Sequence, residues 1–167
     1  MNEYVTAGFV AGGLWRPPRW WKGLPALAVS ASECLADLLP GEQEWFGPWH
    51  ATPPRVPSPV LAVEVPTGRA AEIAGWFDHP HPVRDNLTAR TPPLAGQHLG
   101  FEVLGHEAMG GRFHTWLCYN KELRVGAHGL LTTLDEADRT AALGDGDDQI
   151  TWFAVRLTAV QGFRSIR

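Results

Sequence analysis

From Ile150 to Val160, apolar side chains recur at every second position, and this pattern requires a sheet. A period of two is that of a β-strand with one buried face. One strand can neither cover that face nor pair its own backbone groups, so further strands must lie beside it. The residues of the predicted buried face are Phe153, Val155, Leu157 and Ala159.

Other segments predict the remaining strands. Tyr4–Val10 and Val60–Val65 are short apolar runs, and the second places Leu61, Val63 and Val65 on one face. Leu99–Leu104 alternates with Phe101 and Val103 inward. The apolar run Arg112–Tyr119 follows a glycine pair, so it either closes a hairpin with Leu99–Leu104 or begins a helix.

Three segments predict helices. Ser30 with Glu33, and Thr133 with Glu136, have the spacing of a capping box, in which each side chain satisfies a free amide at a helix start. We therefore expect helices over Ala31–Leu39 and from Thr133 to a stop at Gly144, and a third over Gly68–Phe77 capped by Thr67. Because strands and helices occur in mixed order, the sequence predicts one α+β domain over residues 1–167. Its mixed or mostly antiparallel sheet is covered on one face by two or three short helices.

Proline interrupts this order in two irregular segments, 14–25 and 47–59, the second with five prolines. A linker between domains is the alternative for the second segment, but neither flank is long enough for a separate core. Asp78–Pro93, rich in His, Pro, Asn and Asp, is predicted to be a long surface loop.

Composition excludes several classes of protein. With 44% hydrophobic and 19% charged residues, the chain is expected to fold. A net charge of −4, without a basic cluster, argues against a nucleic-acid partner. The first residues do not resemble a secretion signal, and no apolar run reaches membrane-spanning length. The chain has two cysteines, Cys34 and Cys118, and both are expected to be reduced and buried. We therefore expect a cytoplasmic protein. Because no apolar run is long enough to span a membrane, we expect no membrane partner.

Histidine is the residue type that most invites a catalytic or metal site. The spacing of the seven histidines matches no metal motif, so neither a metal nor another cofactor is predicted. If the protein is an enzyme, Glu102, His106 and His114 are the candidate acid–base groups, since a hairpin could gather them at one end of the sheet. By alternation, however, Glu102 faces away from Phe101 and is expected to be solvated. The sequence does not decide whether the protein is an enzyme, and it favours a protein that is not one.

Tryptophan is the most unusual component, because five of the eight lie in the N-terminal third. Trp and Arg are common at the binding hot spots between proteins, although Trp also packs at the margin of small hydrophobic cores. The predicted partner-binding residues are Trp15, Arg16, Arg19, Trp20 and Trp21.

Four stretches carry a resemblance to a known class: Gly96–Gly105, His114–Cys118, Gly129–Leu131 and Thr133–Ala137. Together they resemble small bacterial immunity proteins of polymorphic toxin systems. The resemblance implies a cytoplasmic, non-catalytic protein that binds and blocks one protein partner, a cognate toxin. One alternative is a small enzyme or ligand-binding protein of bacterial specialised metabolism, with a pocket built from the 78–93 loop and the Glu102, His106 and His114 group. Another is an accessory scaffold with neither role.

Overall fold

The computed structural model describes residues 3–11, 59–77, 80–107, 113–115, 126, 128, 130–144 and 149–164. The strands are β1 (Tyr4–Ala11), β2 (Pro59–Pro66), β3 (Gly96–Glu107), β4 (Phe113–Thr115) and β5 (Ile150–Arg164). The helices are α1 (Ala70–Gly75), α2 (Pro82–Thr88) and α3 (Leu134–Ala142), and a 3-10 turn, Thr67–Arg69, precedes α1.

The five strands form one sheet in the order β1-β2-β5-β3-β4, and all neighbouring strands are antiparallel. The long strand β5 lies in the middle, paired with β2 on one side and β3 on the other. The predicted α+β class with an antiparallel sheet is therefore confirmed. In the described residues, the run after the glycine pair contributes β4, which closes a hairpin on β3.

Helices contact both faces of this sheet. Trp76, at the end of α1, packs edge-on against Phe153 with ring centroids 5.6 Å apart. Gly144, just after α3, lies so close to the Trp152 ring that a Cβ there would meet it at 2.1 Å. Because consecutive strand residues point to opposite faces, α1 and the end of α3 lie on opposite sides of β5. Contrary to the sequence prediction, the helices are therefore not confined to one face of the sheet, because both faces of β5 carry side chains that need cover.

The aliphatic stripes of β2 and β5 behave as their alternation predicts. Leu61, Val63 and Val65 are buried in the main core together with Phe153 and Leu157. The opposite face is also covered, since Val60 and Ala62 are fully buried. Burial on both faces explains why β2 is apolar at almost every position.

The capping box predicted for α3 is present. Thr133 Oγ1 accepts the Glu136 amide at 3.2 Å, and Glu136 Oε2 accepts the Thr133 amide at 3.3 Å. Ala137 and Ala141 turn inward from this helix. Local sequence was sufficient here because both partners lie within the first helical turn.

Two predictions about residues 67–93 are wrong. Thr67 does not cap a helix: it begins the 3-10 turn, and α1 starts at Ala70 without a side-chain cap. The predicted loop Asp78–Pro93 contains α2, with proline at its first position. Proline suits that position, because its missing N–H would have no partner within the helix.

Several predictions lie outside the described residues: the helix over Ala31–Leu39, segment 14–25, and segment 47–59 except Pro59, which begins β2. Among the helices that the structure describes, none is long and apolar enough to cross a membrane.

Candidate functional site

The β3–β4 hairpin positions the three predicted acid–base residues. Glu102 and His106 lie four residues apart on β3, where Glu102 pairs with Val155 and His106 pairs with Thr151. His114 lies on β4 opposite Gly105. The backbone register therefore brings His106 and His114 to the same end of the sheet.

Glu102 is not solvated, contrary to the expectation from alternation. Its side chain is only 1% exposed, and Oε1 accepts the amide of Val103 at 2.8 Å. The Phe101 amide donates to Leu131, on the side of β3 away from β5. Val103 lies two residues further along the strand, so its amide points to that same side. Glu102 thus supplies an acceptor for the Val103 amide, next to Leu104, where the pairing of β3 with β4 begins.

His106 belongs to a cluster of three rings that the α1–α2 connection completes. The ring of Phe77 lies 4.3 Å from that of His106 and 4.5 Å from that of His81. The two imidazole centroids are 6.0 Å apart in an edge-on arrangement. His81 of the 78–93 segment therefore lies beside His106 of β3. The sequence did not predict that the Phe77 ring would contact both imidazoles.

His81 has a defined hydrogen-bonding role. Its Nδ1 accepts the Val83 amide at 3.2 Å and so caps α2. Burial lowers the pKa of the His81 imidazole below its ordinary value, and the Asp85 carboxylate offsets this only in part. The surroundings and the cap both favour the neutral ring.

Sequence reasoning missed a second polar cluster, on the opposite face of the sheet. Glu64 of β2 is fully buried, and its Oε2 accepts from Arg156 Nε at 2.6 Å and from Thr158 Oγ1 at 2.9 Å. The Arg156 guanidinium stacks 3.6 Å from the ring centroid of Tyr4. The signal was available in the sequence: Glu64 is the one charged residue of β2, and Arg156 of opposite sign lies within the apolar stretch 152–160 of β5.

The second oxygen of that carboxylate, Glu64 Oε1, is buried without a hydrogen-bond donor. An unsatisfied buried acceptor destabilises the fold by about 1–3 kcal/mol. Arg156 supplies the compensating charge, because the register places it directly opposite Glu64. This cluster is a buried ion pair within the sheet, with one acceptor position unused.

Among the described residues, no three His, Cys, Asp or Glu side chains converge as a metal site requires. His98 contacts Phe101 edge-on at 5.2 Å, and His128 is exposed. The predicted partner-binding residues fall outside the part of the chain that the structure describes: Trp15, Arg16, Arg19, Trp20 and Trp21.

Comparison with known proteins adds no relative. No protein-family model, no curated protein and no solved structure matches this chain.

Proposed function

We propose that this chain is a non-catalytic protein-binding module that captures and blocks one protein partner, in the way that an immunity protein blocks its toxin. The proposal starts from the sequence resemblance. One structural observation supports it: the described parts of the resembling stretches assemble into a single unit.

The contacts within that unit connect segments that are separate in sequence. Phe101 of β3 exchanges two backbone hydrogen bonds with Leu131, at 2.8 and 2.9 Å. On the same edge of β3, Leu104 pairs with Thr115 of β4. Two residues after Leu131, Thr133 caps α3, which packs on β3 and β5. The described residues of the resembling stretches therefore form one structural unit.

The outer surface of this unit carries a candidate contact. Leu143, at the end of α3, is 69% exposed and continues an exposed helical stripe that contains Asp135 and Arg139. Three aspartates follow within five residues in sequence, at positions 145, 147 and 148. An exposed apolar side chain that is followed in sequence by three acidic residues suits a partner surface with an apolar centre and basic groups.

The test is recovery of a partner with tagged protein from the native host, followed by mass spectrometry. We expect one stoichiometric protein that is toxic when expressed alone and harmless when this chain is co-expressed. Leu143→Asp should raise the Kd for the partner at least about tenfold, which corresponds to about 1.4 kcal/mol, and recovery should fall accordingly. Leu94→Asp is the matched control, because Leu94 is also an exposed leucine but precedes β3.

The double variant Trp20→Ala/Trp21→Ala tests the tryptophan segment in the same experiment. Loss of the partner in this variant, with folding unchanged, would assign part of the surface to residues 20 and 21. Recovery of no stoichiometric partner by the wild-type chain contradicts the proposal, and so does a partner whose toxicity is unchanged by co-expression.

A second candidate, a small enzyme or ligand-binding protein, is favoured by the contact between His81, Phe77 and His106. Two imidazoles at the end of a sheet can bind or transfer a proton to a polar small molecule. This candidate requires that His106→Ala and His114→Ala abolish ligand binding while folding is retained. The same variants should leave recovery of a protein partner unchanged under the first proposal.

A further inference from the structure

The capping of helix α2 by His81 depends on whether the His81 ring is protonated. Its backbone is extended, with φ −142° and ψ 135°, as expected for the residue that precedes a helix. The Val83 amide donates to Nδ1, so that nitrogen must carry a lone pair. A protonated imidazole has a proton on both nitrogens and cannot accept this bond.

The segment that follows this cap is fastened to the open side of β1, and we name residues 82–92 the edge latch. Asn86 Nδ2 donates to the Ala7 carbonyl at 3.2 Å. The Thr6 amide donates to the Thr91 carbonyl at 2.8 Å, and Thr6 Oγ1 donates to the Pro92 carbonyl at 3.2 Å. The edge latch therefore occupies backbone groups that β1, as an edge strand, would otherwise leave unpaired.

The edge latch is also closed internally. Thr91 Oγ1 donates to Asn86 Oδ1 at 3.2 Å, and the Thr91 amide donates to the Asn86 carbonyl at 3.0 Å. Arg90, between them, has a positive φ of 52°, which is uncommon for a residue with a side chain. This turn is held by its hydrogen bonds, so loosening α2 also loosens the turn.

Burial of His81 opposes its protonation, and one neighbouring carboxylate favours it. Phe77 covers one side of the ring, and the titratable group facing it from β3 is His106. A charge on His106 would add to the cost of a charge on His81. From α2, Asp85 favours the charged form, while Arg84 directs its guanidinium to the Phe77 carbonyl at 3.1 Å.

We propose that His81 is a pH-sensitive cap, whose neutral ring holds the edge latch against β1 and whose protonation releases it. Acid removes the acceptor for the Val83 amide and places a positive ring beside that amide and the positive end of the α2 dipole. The hydrogen bonds from α2 and its turn to β1 then open together. Protonation of one side chain thus exposes the edge of the sheet.

The direction of the pH effect follows from the lowered pKa of His81. The open segment takes up a proton near the ordinary value of 6.5, whereas the closed segment does so only at lower pH. In that window the open form binds more protons, so closure weakens as pH falls and is strongest above about pH 7.

Hydrogen exchange of the full chain, followed by NMR at about pH 7.5 and about pH 5, tests the proposal through the protection factors of two amides, Val83 and Thr6. We expect both factors to fall at the lower pH. The fall should be about tenfold for every unit by which the pKa of His81 differs between the closed and open forms. Amides of β5 should keep their protection.

His81→Asn separates the cap from the titration, because asparagine accepts at a helix start and has no proton to gain. It should retain protection of Val83 and Thr6 and lose the pH dependence, and His81→Ser should do the same. His106→Gln is the matched control and should keep the pH dependence. Constant protection in the wild type overturns the proposal, as does a pH dependence that survives in His81→Asn or disappears in His106→Gln.

Discussion

At the scale of residues, the Glu64–Arg156 pair is the most consequential polar contact in the described part of the chain. The two residues are 92 positions apart and face one another across β2 and β5. Glu64 is fully buried, whereas the Arg156 side chain keeps 24% of its surface exposed. Removing the arginine would leave a buried negative charge with only Thr158 as a donor.

Arg156→Ala is therefore expected to lower the free energy of unfolding by about 3 kcal/mol. Urea denaturation at neutral pH measures this change. Glu72→Gln, on the exposed side of α1, is the control and should change stability by less than about 0.5 kcal/mol. Equal effects of the two substitutions would mean that the buried pair contributes nothing particular to stability.

Two glycines make a matched test of close packing. At Gly144 a Cβ would meet the Trp152 ring at 2.1 Å, while at Gly75, the last residue of α1, nothing lies within 4 Å. Gly144→Ala is expected to destabilise the protein by about 1–3 kcal/mol through overpacking. Gly75→Ala is expected to stabilise it by about 0.5 kcal/mol, because alanine restricts the unfolded chain.

Thermal unfolding of both variants measures the opposite signs. A stabilising or neutral Gly144→Ala would contradict the packing of α3's end against β5. Gly75→Ala serves as the reference for the intrinsic effect of replacing glycine by alanine.

At the scale of elements, α3 depends on its capping box. Thr133→Ala removes one partner of the box and is expected to destabilise the protein by about 1 kcal/mol, whereas Thr133→Ser keeps the accepting oxygen and should be nearly neutral. Chemical denaturation of the pair measures the difference. Equal stability of the two variants would contradict a role for the hydroxyl.

The stability that the capping box contributes depends on pH, through the Glu136 carboxyl. Hydrogen bonds from the Thr132 side chain, and then from the Thr132 backbone, lower the pKa of Glu136 below its ordinary value. A carboxyl with a lowered pKa stabilises the fold above its ordinary pKa, and this contribution is lost as pH falls through the lowered value. The loss begins below pH 4.5, whereas opening of the His81 cap begins already near pH 6.5.

What could be predicted from sequence was local. The alternation in β2 and β5 and the Thr133 box each involve residues close together in the chain, so their patterns were sufficient. Helix α2 was missed because the start signals used for the other helices were Ser, Thr and Glu, whereas here His81 supplies the cap and Pro82 follows it. Pro82 at the first helical position is itself a start signal, but histidine is not among the residues that commonly cap a helix, so the sequence predicted a loop there.

At the scale of the whole molecule, the sheet order decides which distant residues meet. With β5 between β2 and β3, Glu64 faces Arg156 on one face, while Phe77 reaches His106 on the other. These contacts depend on strand register and helix placement, which alternation alone does not specify. The sequence singled out His106 and the segment containing His81, but it could not predict that Phe77 joins them or that Glu102 is buried.

The sheet order also gathers the stretches on which the proposed function rests. Their described residues lie at the β3–β4 side of the sheet, and the edge latch lies at the β1 side, so the two can be altered separately. Variants of Leu143 should affect partner binding without changing the pH response of the edge latch. Variants of His81 should do the reverse.

Neutralisation of the recovered partner in a bacterial growth assay is the decisive test of the proposed function. The partner is expressed alone, with the wild-type chain, with Leu143→Asp and with Leu94→Asp. We expect growth arrest by the partner alone, full rescue by the wild type and by Leu94→Asp, and reduced rescue by Leu143→Asp. A partner that never arrests growth, or arrest that the wild-type chain does not relieve, would contradict the proposed function.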